Sequence, residues 1–252
     1  MSAMTFGALA GQHGPALCAA VVAGLAIGVW LAAVVERLPR AMLRSWAEED
    51  ASEAGDAIEW CMPPPLRGVA AIALRLLVVA LSMALALSSV LRFGAGPQAL
   101  AAYGLAAALL ALAFIDAQTR LLPDVITLPS AACGLALNGI GMFVPFADAF
   151  AGCVVGYGAL WALVAITRRL TGADGFGYGD AKLFGLLGAW LGVAAMPQVL
   201  FVSFVTAAAF GVVQIVRFGR DRDRSIAFGP FIAAGGLVTL FFGHVIDGWL
   251  GF

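Results

Sequence analysis

The sequence predicts an all-α, polytopic membrane protein with about eight transmembrane helices, and three observations carry that prediction. Of the 252 residues, 62% are hydrophobic and only 12% charged, about half the charged fraction of a soluble domain. Apolar runs of about 20 residues, the length a helix needs to cross about 30 Å of hydrocarbon, recur along the whole chain. None of them alternates polar with apolar as barrel strands do, and backbone groups in lipid must be bonded internally, so helices remain. The whole of 1–252 reads as a single helical membrane domain with one hydrophilic insert, residues 36–67.

The first run, roughly 15–35, has no basic segment before it and is followed by Glu36, Arg37 and Arg40 rather than a small-residue cleavage site. It therefore reads as a retained helix and not as a signal peptide. The insert that follows holds seven of the fifteen acidic residues (Glu36, Glu48, Glu49, Asp50, Glu53, Asp56 and Glu59) and ends in Pro63, Pro64 and Pro65. A short helix around 39–50 and a loose, solvated acidic loop are expected there. Further spans fall at about 68–91, 98–116, 125–143, 148–167, 181–195, 197–216 and 229–248. The sixth is short and Gly-rich, and Pro197 is expected to separate it from the seventh by a tight turn. No internal repeat suggests the inverted halves of a transporter.

Charge placement sets an expected orientation. Arg37, Arg40, Arg44, Arg67, Arg120, Arg168, Arg169, Lys182, Arg217, Arg220, Arg222 and Arg224 all fall in or beside alternate loops, against Arg92 alone in the others and Arg75 inside the second span. The positive-inside rule then gives the cytoplasm loops 36–67, 117–124, 168–180 and 217–228, with both termini on the far side. The net charge of −1 and the lack of a local basic patch give no reason to expect a nucleic-acid partner. Cys18, Cys133 and Cys153 read as small thiols in helices, Cys61 stands alone in the insert, and no CxxC pair suggests a zinc site. His13 and His244 are too scattered for a metal or a triad.

Ionisable residues within a spanning helix cost roughly 2.5–3.5 kcal/mol at its centre, less toward its ends, so each needs a reason. Asp116 closes the third span in ALLALAFIDAQTRLLPD, and Asp180 opens the sixth in GYGDAKLFG. Both fall at the same membrane edge, where two carboxylates on different helices could meet and titrate as a coupled pair. A helix start favours a carboxylate and a helix end disfavours one. That difference assigns the base, which activates water, to Asp180, and the acid, which polarises a scissile carbonyl, to Asp116. Taken singly, Asp180 reads equally well as an N-cap and Asp116 as the partner of Arg120. Gly175, Gly177 and Gly179, three glycines in five residues, exceed what a cap needs and leave room for a peptide or the second carboxylate. Asp124 is expected to cap the fourth helix with Thr127 bonding back, and Pro129 suggests a locally opened backbone. Lys182, the only lysine, is either a snorkelling anchor or a cation facing the site. An ion-coupled transporter using paired aspartates, or a non-catalytic assembly component, would be the competing functions.

FIDAQTRLLPDVITLP and GFGYGDAKLFGLLGAW resemble the two signature blocks of the bacterial type IV prepilin peptidases, the leader peptidase/N-methyltransferase family of GxGD aspartyl proteases. The 64 residues between Asp116 and Asp180 fit the family arrangement. GVWLAAVVERLPR (28–40) and IAFGPFIAAGG (226–236) are similar to further family stretches. The resemblance implies Asp116 and Asp180 as the catalytic pair, with Gly177 and Gly179 framing the second; Asp124 and Lys182, read from their own positions, are candidate supporting residues. It implies a prepilin or pseudopilin substrate, with a short basic leader cleaved after a glycine, of the kind handled in type IV pilus and type II secretion systems. Proteolysis would need no cofactor, whereas methylation of the new N-terminus would need S-adenosylmethionine. The implied setting is the bacterial inner membrane, with lipid and the prepilin as partners. The lone Cys61 resembles the subgroup that lacks the tetracysteine motif.

Overall fold

The computed structural model describes residues 3–49, 68–171, 177–218 and 227–250. These form eight α-helices and no strand: α1 (Ala3–Glu49), α2 (Val69–Phe93), α3 (Pro97–Thr119), α4 (Asp124–Gly139), α5 (Phe146–Thr171), α6 (Tyr178–Leu191), α7 (Met196–Phe218) and α8 (Gly229–Leu250). The all-α expectation holds. Among the described residues five stretches are long and apolar enough to cross a membrane: Gly14–Arg44, α2, α3, Phe146–Arg169 and Val193–Arg217. The 16 residues of α4 and the 14 of α6 fall short of the roughly 20 that a spanning helix needs.

Two boundaries differ from the sequence reading. Pro39 does not end the first helix, and the separate short helix expected over 39–50 is instead the continuation of α1 to Glu49. Hydropathy marks where a helix lies in hydrocarbon, whereas its end is set by backbone hydrogen bonding, and an isolated proline removes only one such bond. Pro197 is likewise inside α7 as its second residue. The break before α7 comes from Gly192 at φ 80°, followed by a 3₁₀ turn over Val193–Ala195. Most of the acidic insert, with Cys61, lies outside the described residues.

The chain packs as two compact units, Met1–Ala111 and Leu112–Phe252. In the first, α1 and α2 approach closely through Gly24 and Gly28. A Cβ on these would lie 2.7 Å from Met83 Cα and 2.9 Å from Val79 Cα, respectively. Small residues four apart let helix backbones meet where lipid offers no hydrophobic drive for association. Arg75, the charge inside α2, is answered by Glu36 of α1 in a bidentate pair at 2.7 and 2.8 Å. The Ser82 and Tyr103 hydroxyls, 2.7 Å apart, join α2 to α3 in a buried hydrogen bond.

In the second unit α6 is the central element, packed against α4, α5 and α8. Asp180, Ala181 and every residue from Leu183 to Trp190 are buried, as expected of a helix that is apolar nearly all round. Glycines make this enclosure tight: a Cβ on Gly152 of α5 would lie 2.6 Å from the Gly188 carbonyl oxygen, and one on Gly156 would lie 3.0 Å from that of Phe184. At the far end of α6 the buried Asn138 donates to the carbonyls of Ala189 and Trp190 at 3.0 and 3.1 Å and accepts from the N–H groups of Phe143 and Val144. One side chain thereby satisfies a helix end and the α4–α5 turn together. On α7, Phe201, Val205, Val212 and Val216 are exposed, an apolar face suited to lipid.

Gly188→Ala should cost about 1–3 kcal/mol through overpacking and lower the thermal midpoint in detergent. Gly158→Ala, where a Cβ meets nothing within 4 Å, should leave it unchanged. Equal midpoints for the two variants would contradict this account of the α5–α6 contact.

Candidate active site

Asp116 and Asp180 both lie in the second unit and are both buried, at 4% and 6% exposure. An apolar bundle tolerates such groups only where each finds hydrogen-bond donors, and each carboxylate here has a backbone N–H on one oxygen. Asp180 is the third residue of α6, and its Oδ2 accepts the N–H of Gly177, the residue before the helix, at 3.1 Å. It is therefore not the N-cap residue itself; it closes the first turn from within. Asp116 Oδ2 accepts the N–H of Gly229, the first residue of α8, at 3.0 Å.

The second bond changes the electrostatic argument. Asp116 is near the end of α3, but its carboxylate sits at the start of α8. Both aspartates thus meet the positive end of a helix, and the distinction that assigned base to Asp180 and acid to Asp116 no longer holds. Gly229 was not foreseen as a site residue, because its partner lies 113 residues away and a glycine before a proline at a helix start is ordinary.

The segment between α3 and α4 brings the two aspartate-bearing stretches together. Arg120 takes up φ 56° after the last turn of α3 and donates its N–H to the Asp116 carbonyl at 2.8 Å, a left-handed helix ending usually left to glycine or asparagine. The chain then passes Leu122 across Gly179. A Cβ on Gly179 would approach the Leu122 Cβ to 3.1 Å, so this glycine serves close packing, whereas Gly177 has more room around it. Pro123, not Asp124, occupies the N-cap position of α4, and the Thr127 hydroxyl bonds back to the Pro123 carbonyl at 3.0 Å. Pro129 is an exposed residue inside α4. Asp124, freed from capping, receives Lys182 Nζ on both oxygens at 2.7 Å. One turn of α6 therefore presents Asp180 inward and Lys182 to an ion pair at the rim. Gly175 lies outside the described residues.

The comparisons with known proteins bear on the same stretches. Residues 103–212 match the type IV leader peptidase family, a range that includes Asp116, Asp124, Asp180 and Lys182. A prepilin leader peptidase/N-methyltransferase from Burkholderia pseudomallei (strain 1026b) is 40% identical, the alignment covering 91% of this chain and 86% of that protein. The chain belongs to the type IV leader peptidase family. Proteins of the same description from Xanthomonas campestris pv. campestris and Pseudomonas putida are 34% and 35% identical, over 96% and 90% of this chain and 97% and 91% of theirs. No solved structure matches significantly. The family match makes the chain a peptidase and gives no support to the ion-coupled transporter.

The Asp124–Lys182 pair is half exposed, so its direct contribution should be about 0.2–1 kcal/mol. Lys182→Asp, which sets two carboxylates against each other, should lower the thermal midpoint, and the swap Asp124→Lys/Lys182→Asp should recover most of the loss. A swap no more stable than the single reversal would show that the pair does not join α4 to α6.

Proposed function

We propose that this protein is an aspartyl endopeptidase that removes the short basic leader from type IV prepilins or pseudopilins after a glycine, with Asp116 and Asp180 as its catalytic pair. The observation that carries the reading is two buried carboxylates on separate helices of one compact unit, each held through one oxygen by a glycine N–H. The relatives' names supply the substrate class. Two neighbouring carboxylates that share one proton suit amide hydrolysis. The ionised member takes a proton from water as the water oxygen attacks the scissile carbonyl carbon, and the protonated member gives its proton to the carbonyl oxygen. Collapse of the tetrahedral intermediate breaks the C–N bond, with a proton passing to the departing amine. Gly177 and Gly179 frame the peptide's approach, and Asp124 and Lys182 support the arrangement at its rim.

The chain acts as one helical membrane domain in the bacterial inner membrane, its site at the cytoplasmic edge and both termini periplasmic, in keeping with the distribution of arginines. The acidic insert then lies on the side where a basic leader arrives. The relatives' double name supports a second activity, transfer of a methyl group from S-adenosylmethionine to the newly freed N-terminal amine.

Asp116→Asn and Asp180→Asn should each lower leader removal by more than about 10³-fold while leaving the protein inserted, read as loss of the size shift of a co-expressed pilin. Full processing by either variant would overturn the assignment. Mass spectrometry of the mature pilin should find its N-terminal amine methylated only when the methyl donor is supplied. An unmodified amine under both conditions would restrict the activity to proteolysis.

A further inference from the structure

The donor that fixes Asp116 lies in neither aspartate-bearing stretch. Gly229 is 113 residues further along the chain, and its bond to Asp116 Oδ2 is buried. The start of α8 can be accounted for group by group. The first N–H groups of a helix have no partner within it. Pro230 has no N–H, Phe231 and Ile232 donate to the Phe228 carbonyl, and Gly229 donates to Asp116. The carboxylate therefore takes the one early N–H of this helix that its own backbone leaves over.

Space, not backbone conformation, demands glycine at 229. Its φ is not among the positive values found at Gly68, Gly94, Gly141 and Gly192. A Cβ there would instead fall 2.5 Å from Asp116 Oδ2 and 2.8 Å from its Cγ, closer than atoms pack. Gly177, which makes the corresponding bond to Asp180, differs: its Cβ would come no nearer than 3.7 Å to the carboxylate. The close approach is thus peculiar to the Asp116 side.

We propose that Gly229 is a positioning residue of the peptidase site: its N–H holds one oxygen of Asp116, as that of Gly177 holds one oxygen of Asp180, and turns the other toward substrate. This rests on the aspartyl peptidase reading above. The terminal torsion of an aspartate is broad, so a buried carboxylate without a fixed donor has no preferred plane. A charge-assisted bond from a helix start supplies one. Across the pair, two helix starts fix two carboxylate planes, leaving one oxygen of each for water and the scissile carbonyl.

The test is Gly229→Ala in the full-length enzyme, purified in detergent and assayed on a prepilin. Positioning predicts a fall in kcat of about 100-fold with KM within about threefold, because the peptide still binds while the acid–base pair is misaligned. A second readout is thermal stability: Gly229→Ala should lower the midpoint in the wild-type background but not in Asp116→Ala, where the side chain that the new methyl group meets has gone. Should Gly229→Ala fail to accumulate, the double variant should recover folded protein. Wild-type kcat, a rise in KM alone, an equal loss of stability in both backgrounds, or no recovery in the double variant would each overturn the proposal. Full cleavage by Asp116→Asn would instead overturn the peptidase reading on which it rests, so the two failures are distinguishable.

Discussion

Burying a carboxylate in an apolar helical bundle is the constraint on which the rest of this architecture depends. Water is displaced, side-chain donors are scarce, and the backbone N–H groups of most helical residues are already committed. Free donors remain at helix starts. The second unit uses two of them: the entry to α6 serves Asp180 and the entry to α8 serves Asp116. Meeting two acids in this way uses two helix starts and brings the end of α3 to the start of α8.

The shortness of α6 belongs to the same constraint. At 14 residues and about 1.5 Å per residue, it reaches roughly 21 Å. Such a helix can begin within the surroundings of its neighbours, so that Asp180 is covered although it stands in a first turn. The covering then has to come from α4, α5 and α8, and close approach to α5 is what Gly152, Gly156, Gly185 and Gly188 permit. Glycines that look like weak points in a helix are here the condition for enclosing it. Asn138 performs the complementary task at the other end, tying the last carbonyls of α6 to the α4–α5 turn.

The all-α class, the approximate places of the helices and the burial of two aspartates at helix edges were legible because each rests on a local and costly signal: a long apolar run, or an ionisable residue at its edge. What was not legible involves partners distant in sequence or satisfaction by backbone. The Arg75–Glu36 pair looked like an exception to the charge pattern until α1 and α2 were seen to bring the two together. The continuity of α1 through Pro39 was hidden because hydropathy falls where hydrogen bonding does not. The GxxxG spacings of Gly24 with Gly28 and of Gly152 with Gly156 were present in the sequence as a helix-packing signal and could have been read. Gly229 is different in kind, since a glycine before a proline at a helix start is ordinary, and only the position of Asp116 gives it meaning.

Ion pairing and burial divide the labour within a single turn of α6. Asp180 faces the bundle and takes a neutral backbone donor, while Lys182, two residues on, faces outward to Asp124. Were the lysine directed inward, its charge would bind the carboxylate in an ion pair and withdraw it from proton transfer, because a paired carboxylate resists protonation. Engaging Lys182 with Asp124 keeps that cation beside the site and out of it. A neutral N–H orients Asp180 without such a full charge, which is the condition that the proposed acid–base pairing with Asp116 requires. The same reasoning applies to Asp116 and Gly229, so both members of the pair are oriented by the backbone, and the ion pair is confined to the rim.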